Sequence, residues 1–258
     1  MTIRQLLLPI ILLSVLACQG PAEQSQQQTD PPPPNDMELS SWLNASGSQL
    51  VHHYWPAAIS ILPDGQALSG PTAIAAHWDD FFAGKIRQDL QIIAQIPAGA
   101  SEEYRYELSS FALDDLQRFA QLVIWNLHDG PAQRELEFIV AYDSPETDFS
   151  GINTARELWM QHCNDHRVDL LINEVYSPNT LYYNHKPLLQ GRAALISEYN
   201  YMTNENYQLQ LNPIHTELVS KDLAIEIGQC GGSYGGRYVI IWQKQPDGRW
   251  MVLLDSNV

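Results

Sequence analysis

PLLQGRAAL, at residues 187–195, pairs with QALSGPTAI, at residues 66–74, as two versions of one segment of this chain. The glycines of the two segments, Gly70 and Gly191, lie 121 residues apart (191 − 70). Each glycine follows a short apolar stretch typical of a strand and precedes a stretch with helical periodicity. A repeat of about a hundred residues is too long for one solenoid unit, so the sequence predicts a duplicated domain.

A second match extends the repeat toward the end of each half. Residues 119–125 (FAQLVIW) with residues 136–141 correspond in apolar pattern to residues 223–228 with residues 238–242. All four stretches combine β-branched, aromatic and other apolar residues in the way typical of strands. We therefore align these two pairs of strands with each other.

The second half of the chain predicts helices first and long strands afterwards. Asn153 is the expected N-cap of a first helix, which ends at Asn164-Asp165. A short helix, a strand at residues 180–183 and a third helix at residues 192–201 follow, and four strand-like segments complete the chain. Helices that precede long antiparallel strands indicate an α+β domain.

The order of motifs in the second half is more specific than any one of them. They are Trp159, Tyr176-Ser177-Pro178-Asn179, Gly191-Arg192-Ala193-Ala194, Ala224-Ile225-Glu226-Ile227-Gly228, Gly236-Arg237-Tyr238 with Trp242, and Asp247-Gly248-Arg249-Trp250 with Asp255. This ordered set resembles the NTF2-like superfamily, in particular its SnoaL-like and DUF4440-type members. The resemblance implies a cone, in which a strongly bent antiparallel sheet wraps round about three helices and encloses a pocket at its open end.

The first half fits the same scheme less completely, because it lacks the Asp-Gly-Arg-Trp turn and its final strand is difficult to place. The expected organisation is a degenerate NTF2-like domain at residues 38–143, a linker at residues 144–151 and a second NTF2-like domain at residues 152–258. The resemblance therefore implies an α+β fold of two tandem cones. Because many NTF2-like proteins pair through their sheets, it also implies an intrachain pseudo-dimer of the two domains.

The first residues have the pattern of a targeting segment. Arg4 precedes an apolar run at residues 6–16, which is too short to span a bilayer as a helix. Ala17 followed by Cys18 resembles the lipobox of bacterial lipoproteins. That resemblance implies removal of residues 1–17, a diacylglycerol on the Cys18 sulfur and an acyl chain such as palmitate on its amine. The alternative is an ordinary signal peptide with a chance cysteine.

Residues 18–37 predict a tether between the lipid and the domains. They are rich in Gln, include four successive prolines and show no apolar periodicity, as is typical of a flexible linker stiffened by polyproline II. The lipoprotein resemblance also implies a sorting rule in which Asp after the lipidated cysteine retains a protein at the inner membrane. Since Gln19 stands there, we expect a lipid-anchored protein of the bacterial cell envelope, on the periplasmic face of the outer membrane.

The charge of the chain excludes one class of partner. There are 30 acidic residues against 14 basic ones, which gives a net charge of −16. Such a chain has no electrostatic attraction for nucleic acid, so we expect no nucleic-acid partner, and the only membrane contact predicted is through the N-terminal lipid. The sequence predicts no cofactor.

Cysteine and histidine spacing gives no metal site. Beyond the lipidation cysteine, Cys163 and Cys230 either form a disulfide, which an oxidising compartment permits, or are two buried free thiols. His162 and His166 are four residues apart, a spacing that suits zinc on one helical face. Because the helix is predicted to end between the two histidines, we predict no metal.

Candidate pocket residues follow from the family resemblance. In its ketosteroid-isomerase branch, an Asp at the end of the first strand is the base and a Tyr on the first helix assists. The matching positions here hold Tyr183 and Trp159, and a phenol with a pKa of about 10 is a poor base at neutral pH. The full candidate set is Trp159, Tyr176, Tyr183, His185, Tyr199, Tyr238, Trp242 and Asp255.

Each candidate also has a simpler interpretation. Most of the aromatic residues can fill the core of a cone without meeting a ligand. His185 follows the first strand of its domain, where we expect a solvent-exposed loop. Asp255 is either a general base or an exposed polar residue on the last strand.

Three functions are compatible with these residues. The first is a membrane-anchored binding or accessory module that holds a small apolar or aromatic ligand, which the missing isomerase base favours over catalysis. The alternative is a SnoaL-like enzyme, of isomerase, cyclase or dehydratase type, that performs general acid/base chemistry on a small organic substrate. The third is a structural role for the first domain as the partner of the second.

Overall fold

A computed structural model describes residues 41–98, 103–114, 117–128, 130–143 and 148–257. The predicted signal peptide (1–17), the predicted lipidation site Cys18 and the predicted tether (18–37) lie outside the described residues. Among the helices that the structure describes, none combines the length and apolar character that crossing a bilayer requires.

The first half forms a six-stranded mixed sheet with two described α-helical segments and a 3-10 helix. Residues 41–44 are helical, and a 3-10 helix, Gly47–His53, follows. The remaining elements are β1 (Tyr54–Ile61), β2 (Ala67–Ser69), α1 (Pro71–Phe81), β3 (Arg87–Ala98), β4 (Tyr104–Leu113), β5 (Gln117–Asn126) and β6 (Gln133–Ala141). Their order in the sheet is β2-β1-β6-β5-β4-β3.

The second half repeats this plan with more helix. Its elements are α2 (Ser150–Asn164), α3 (Val168–Glu174), β7 (Tyr176–Tyr183), β8 (Leu189–Gln190), α4 (Arg192–Glu198), a 3-10 helix (Tyr199–Thr203), β9 (Leu209–Ser220), β10 (Leu223–Gly232), β11 (Gly236–Lys244) and β12 (Trp250–Asn257). The sheet order is β8-β7-β12-β11-β10-β9.

The two sheets have the same strand order, because each strand of the first sheet corresponds to the strand numbered six higher in the second. In each, one central pair is parallel, β1 with β6 and β7 with β12, and the other pairs are antiparallel. Bulges interrupt the pairing of the long strands β3 and β9 with their neighbours, and a bulge bends the strand that carries it. The predicted α+β fold of two cone-like domains is confirmed.

The glycines that first indicated the repeat have the same geometry. Gly70 has φ 86° and Gly191 has φ 77°, a region that favours glycine because residues with a Cβ are strained there. The N–H of Gly70 donates to the Ala58 carbonyl, and the N–H of Gly191 donates to the Thr180 carbonyl, both at 2.8 Å. Each glycine therefore ties the start of its helix to the first long strand of its sheet.

One part of the repeat alignment was wrong by one strand. The counterpart of β10 is β4, whereas the sequence aligned residues 223–228 with residues 119–125, which belong to β5. The cause is β3, which the sequence did not predict. It is the edge strand of its sheet, and among its described side chains only Arg87 and Ile96 are buried, so its apolar alternation is weak.

The predicted N-cap of the first helix in the second half was also wrong. Helix α2 begins at Ser150, whose N–H donates to the Asp148 carboxylate at 2.9 Å. Asn153 lies inside the helix and accepts a hydrogen bond from Arg156 Nη1 at 2.8 Å. The end of the helix at Asn164 agrees with the prediction.

Residues from both sheets meet in one hydrophobic cluster. Leu108, Leu122 and Phe138 of the first sheet belong to it together with residues of the second sheet such as Ile225 and Leu253. Polar contacts cross the same boundary: Tyr142 Oη donates to the Glu217 carboxylate at 2.5 Å. The opposite face of each sheet covers a separate core with the helices of its own half, and the candidate site lies in the second of these cores.

Candidate functional site

A buried carboxyl group, Asp255 on β12, lies at the centre of the second domain. The residue is 2 % exposed. Its Oδ2 accepts a hydrogen bond from Tyr176 Oη at 2.9 Å and another from Tyr199 Oη. The two phenol oxygens are 2.9 Å apart. The sequence allowed an exposed position for Asp255, and the structure shows that this alternative is wrong.

The environment of Asp255 raises its pKa toward neutral pH. Burial raises the pKa of Asp255 to about 6, although the hydrogen bonds from Tyr199 and Tyr176 favour the ionised form. Oδ1 of Asp255 accepts no hydrogen bond from the described residues. A carboxyl with such a pKa and one free oxygen can accept a hydrogen bond or a proton from a bound molecule at neutral pH.

Asp255 lines a cavity of about 220 Å³ between the sheet and the helices of the second domain. Six of the fourteen described residues that line it are aromatic, and none is a lysine, arginine or histidine. Trp159 on α2 is 4 % exposed, and its indole N–H has no hydrogen-bond partner among the described residues. The aromatic lining residues are Trp159, Tyr199, Tyr201, Tyr207, Tyr234 and Tyr238.

Two other predicted pocket residues support the cavity from behind. Tyr176 is fully buried and reaches the site through its hydrogen bond to Asp255. Trp242 is also fully buried, and its indole N–H lies 3.3 Å from the Glu226 carboxylate. Glu226 also accepts from Tyr238 Oη at 3.0 Å and from Arg156, so it anchors a tyrosine of the cavity wall. Trp242 is therefore a core residue and does not line the cavity.

Tyr183 and His185 are in a different place, a cleft of about 550 Å³ that residues of both sheets line. Tyr183 Oη and His185 Nδ1 each lie 2.5 Å from Oε1 of Glu135, which belongs to β6 of the first sheet. The His185 ring stacks on Tyr104 with a centroid distance of 3.7 Å, and its side chain is only 12 % exposed. The expected solvent-exposed loop position of His185 was therefore wrong.

Glu135 is an acceptor that the sequence did not reveal. Burial raises its pKa, but hydrogen bonds from His185, Tyr183 and Asn126 outweigh burial, and the net pKa lies below the usual value. Burial, followed by the charge of Glu135, raises the pKa of Tyr183, so this phenol is no base. Glu135 stands in the strand sequence QRELEFIVA, and its alternation with apolar residues gave no indication of a partner in the other half.

The first domain has a carboxylate arranged like Asp255, with a different neighbour. Glu137 on β6 accepts from Trp78 Nε1 at 2.5 Å and from Tyr54 Oη at 3.2 Å. In addition, Arg134 Nε donates to it at 2.7 Å, and both side chains are 1 % exposed. Asp255 has no comparable cation among the described residues.

The cysteine and histidine predictions have separate outcomes. Cys163 and Cys230 are free thiols in the structure, and Cys163 Sγ lies 3.6 Å from Met202 Sδ. His162 Nε2 lies 3.0 Å from Glu174, whereas His166 lies beyond the end of α2 and contacts the Met202 carbonyl. Among the described residues, no group of three or more His, Cys, Asp or Glu side chains is placed to hold a metal ion.

Several solved structures are similar to part of this chain. An NTF2-like protein of unknown function from Shewanella oneidensis has 16% identity and a TM-score of 0.38, and the match covers 42% of this chain and 95% of that one. A putative dehydratase of the NTF2-like family from Streptomyces avermitilis has 15% identity and a TM-score of 0.35, over 43% and 94%. A putative ketosteroid isomerase from Shewanella frigidimarina has 15% identity and a TM-score of 0.35, over 42% and 95%.

No protein-family model and no curated protein matches the chain by sequence. Each structural match covers less than half of this chain, about the length of one sheet with its helices. The α+β fold is established by the strand order that the two sheets share.

Proposed function

We propose that the second domain is a small-molecule-binding module, and that the cavity above Asp255 is its site. The observation that carries this proposal is a carboxyl group, 2 % exposed, whose one oxygen is held by two tyrosines while the other has no described partner. Aromatic walls with a few polar groups are typical of sites for small organic molecules. At about 220 Å³ the cavity suits a ligand smaller than a typical drug-sized molecule.

The test is native mass spectrometry of the full chain extracted from a bacterial envelope in a mild detergent. We expect an added mass that disappears on denaturation, and its identity would give the ligand class. A ligand present at about a hundred times its Kd should also stabilise the folded chain by about 2.7 kcal/mol. A mass equal to the lipidated chain alone, with no stabilisation by any compound of a metabolite library, would contradict the proposal.

Catalysis at the same carboxyl is the second candidate. It is favoured by the pKa of Asp255, about 6, which suits a general base near neutral pH. In this alternative Asp255 Oδ1 takes a proton from a small organic substrate, and Tyr176 and Tyr199 hold the carboxyl group in place. If a turnover is found, Asp255→Asn should abolish it, and an unchanged rate in that variant would eliminate this role.

We also propose the attachment and assembly that the sequence predicts. Cys18 is the lipidated N-terminus, and it anchors the chain to the periplasmic face of the outer membrane. Replacing residues 1–18 by a cleavable signal peptide without the cysteine should release the protein from the membrane fraction, and a variant that stayed there would contradict the anchor. The contact between the sheets supports an intrachain pseudo-dimer. Light scattering of the released variant should therefore give a monomer, and a tight dimer would contradict this assembly.

A further inference from the structure

The first domain holds a cation of its own against aromatic rings and a carboxylate. The guanidinium carbon of Arg134 lies 4.2 Å from the ring centroid of Trp42 and 5.5 Å from that of Trp125. Arg134 Nε is 2.7 Å from Glu137 Oε2. A cation within about 6 Å of an aromatic face is attracted to the ring, most strongly when both are removed from water. The first domain therefore holds a positively charged group between two tryptophan rings and a carboxylate.

The carboxylates of the two domains occupy equivalent positions. Glu137 lies opposite Ser60 in the parallel pair β1–β6, and Asp255 lies opposite Tyr182 in the parallel pair β7–β12. Ser60 and Tyr182 are each the second-last residue of their strand. The duplicated sheet thus places one buried carboxyl group at the same point of each domain.

Among the described residues, the first domain has a cation at this point and the second domain has none. Tyr54 begins β1 and lies opposite Arg134, whereas Tyr176 begins β7 and lies opposite Val252. Both tyrosines hydrogen-bond to the carboxylate of their own domain. The position that provides a guanidinium in the first domain therefore provides an isopropyl group in the second.

The aromatic wall is present in both domains. In the first, Trp42 lies beside Tyr54, with its indole N–H 3.2 Å from the phenol oxygen. In the second, the Trp159 ring lies 5.1 Å from the Tyr176 ring. The second domain has therefore kept the carboxylate, the tyrosine and the tryptophan, and has a cavity that Trp159 and Asp255 line.

Three further tyrosines enclose the second-domain cavity. The Tyr201 ring lies 5.5 Å from the Tyr207 ring and 6.3 Å from the Tyr234 ring, and the last two are 6.2 Å apart. No positive side chain is among the described residues that line the cavity. Aromatic faces around a carboxylate are the chemistry that recognises alkylated ammonium groups.

We propose that the second-domain cavity binds a small organic cation, a substituted ammonium, in the role that the guanidinium of Arg134 has in the first domain. This inference rests on the proposed function, because it names the ligand class of the same site. A neutral apolar molecule would also fill the cavity, but it would leave the Asp255 carboxylate buried without a partner for Oδ1. An ammonium group satisfies the carboxylate and the ring faces together.

The test compares two probes of equal shape on the full chain by isothermal titration calorimetry at pH 7.5. Choline carries a trimethylammonium group, and 3,3-dimethylbutan-1-ol replaces its nitrogen with carbon and is neutral. We expect choline to bind at least about ten-fold more tightly, because its charge is attracted to the Asp255 carboxylate and to the aromatic faces, although its trimethylammonium group donates no hydrogen bond. Asp255→Asn should remove most of that preference, whereas Asp247→Asn, the same charge change in an exposed turn, should leave it unchanged.

A second variant avoids any effect on folding. Tyr234 is 67 % exposed at the cavity, so its replacement leaves the core intact. Tyr234→Ala should weaken choline binding about two- to five-fold, as expected for one exposed cation–π contact, and should not change the binding of the neutral alcohol by as much.

The outcomes separate this inference from the proposed function. Equal affinity for the two probes would overturn the cation inference and leave a small-molecule site. Failure of both probes to bind would also overturn it, while the ligand mass found by native mass spectrometry decides the proposed function independently. An unchanged preference for choline in Asp255→Asn would assign the cation to another place on the chain.

Discussion

Arg134→Met is expected to lower the free energy of unfolding by about 3–5 kcal/mol, the usual cost of removing one partner from a buried ion pair. The Arg134 and Glu137 side chains are each 1 % exposed, and their Nε–Oε2 distance is 2.7 Å. Arg134 Nη2 also donates to Gln121 Oε1 at 2.7 Å. Methionine fills much of the arginine volume, so the loss reports chiefly the unpaired carboxylate. Urea unfolding of the full chain, monitored by tryptophan fluorescence, measures it.

The matched control removes both charges. The double variant Arg134→Met with Glu137→Gln leaves no buried charge at this position, so it should recover a large part of the stability lost in the single variant. A single variant within about 1 kcal/mol of the wild type would contradict the prediction. It would mean that the pair is worth no more than an exposed ion pair, and that Arg134 does not serve as the internal cation of the first domain.

Asp255→Asn is expected to become more stable relative to the wild type as pH rises from 4 to 7, by up to about 3 kcal/mol at 1.36 kcal/mol per pKa unit. Burial raises the pKa of Asp255 from 3.8 to about 6 in the folded chain. Between these two values the unfolded chain has released a proton that the folded chain still holds, so wild-type stability falls with rising pH. Asparagine does not titrate, so the variant lacks this loss.

The groups that surround Asp255 do not obscure the measurement. Burial, followed by the charge of Asp255, raises the pKa of Tyr176, Tyr182 and Tyr199, and burial raises the pKa of the Cys163 and Cys230 thiols. None of these five groups titrates between pH 4 and 7. The measurement is urea unfolding of both proteins across this range, with Asp247→Asn as the exposed control. A stability difference that stays constant from pH 4 to 7 would show that Asp255 is ionised throughout.

The location of the site was predictable only in part. Trp159, Tyr199, Tyr238 and Asp255 belong to the candidate set that the sequence predicted, and they line one cavity. Tyr201, Tyr207 and Tyr234 were missed, because they lie in the 3-10 segment and in loops, where no periodicity marks a residue as facing inward. Their density was the only available indication, since three tyrosines and Tyr199 fall within residues 199–234.

The cross-domain contacts were not predictable at all. Tyr183 and His185 were assigned to the pocket of the second domain, but they meet Glu135 of the first sheet. Nothing in a local pattern indicates which residue of another domain faces a side chain. The strand β3 was missed for a related reason, because an edge strand with mostly exposed or half-buried side chains lacks the alternation that marks a strand.

The sequence by itself determined the duplication and the fold class. Two glycines in equivalent turns, each followed by a helix, repeat because the left-handed backbone at that turn favours glycine in both copies. Only the tertiary structure decided that the two domains differ in chemistry. Arg134 stands three residues before Glu137 on β6, and Val252 stands three residues before Asp255 on β12. Residues three apart on a regular strand point to opposite faces, so this spacing does not predict that Arg134 and Glu137 meet. An irregularity in the pairing of β6 with β5, between Leu136 and Arg134, brings Arg134 to Glu137. That irregularity belongs to the pairing of two strands, so the residues of one strand alone do not reveal it.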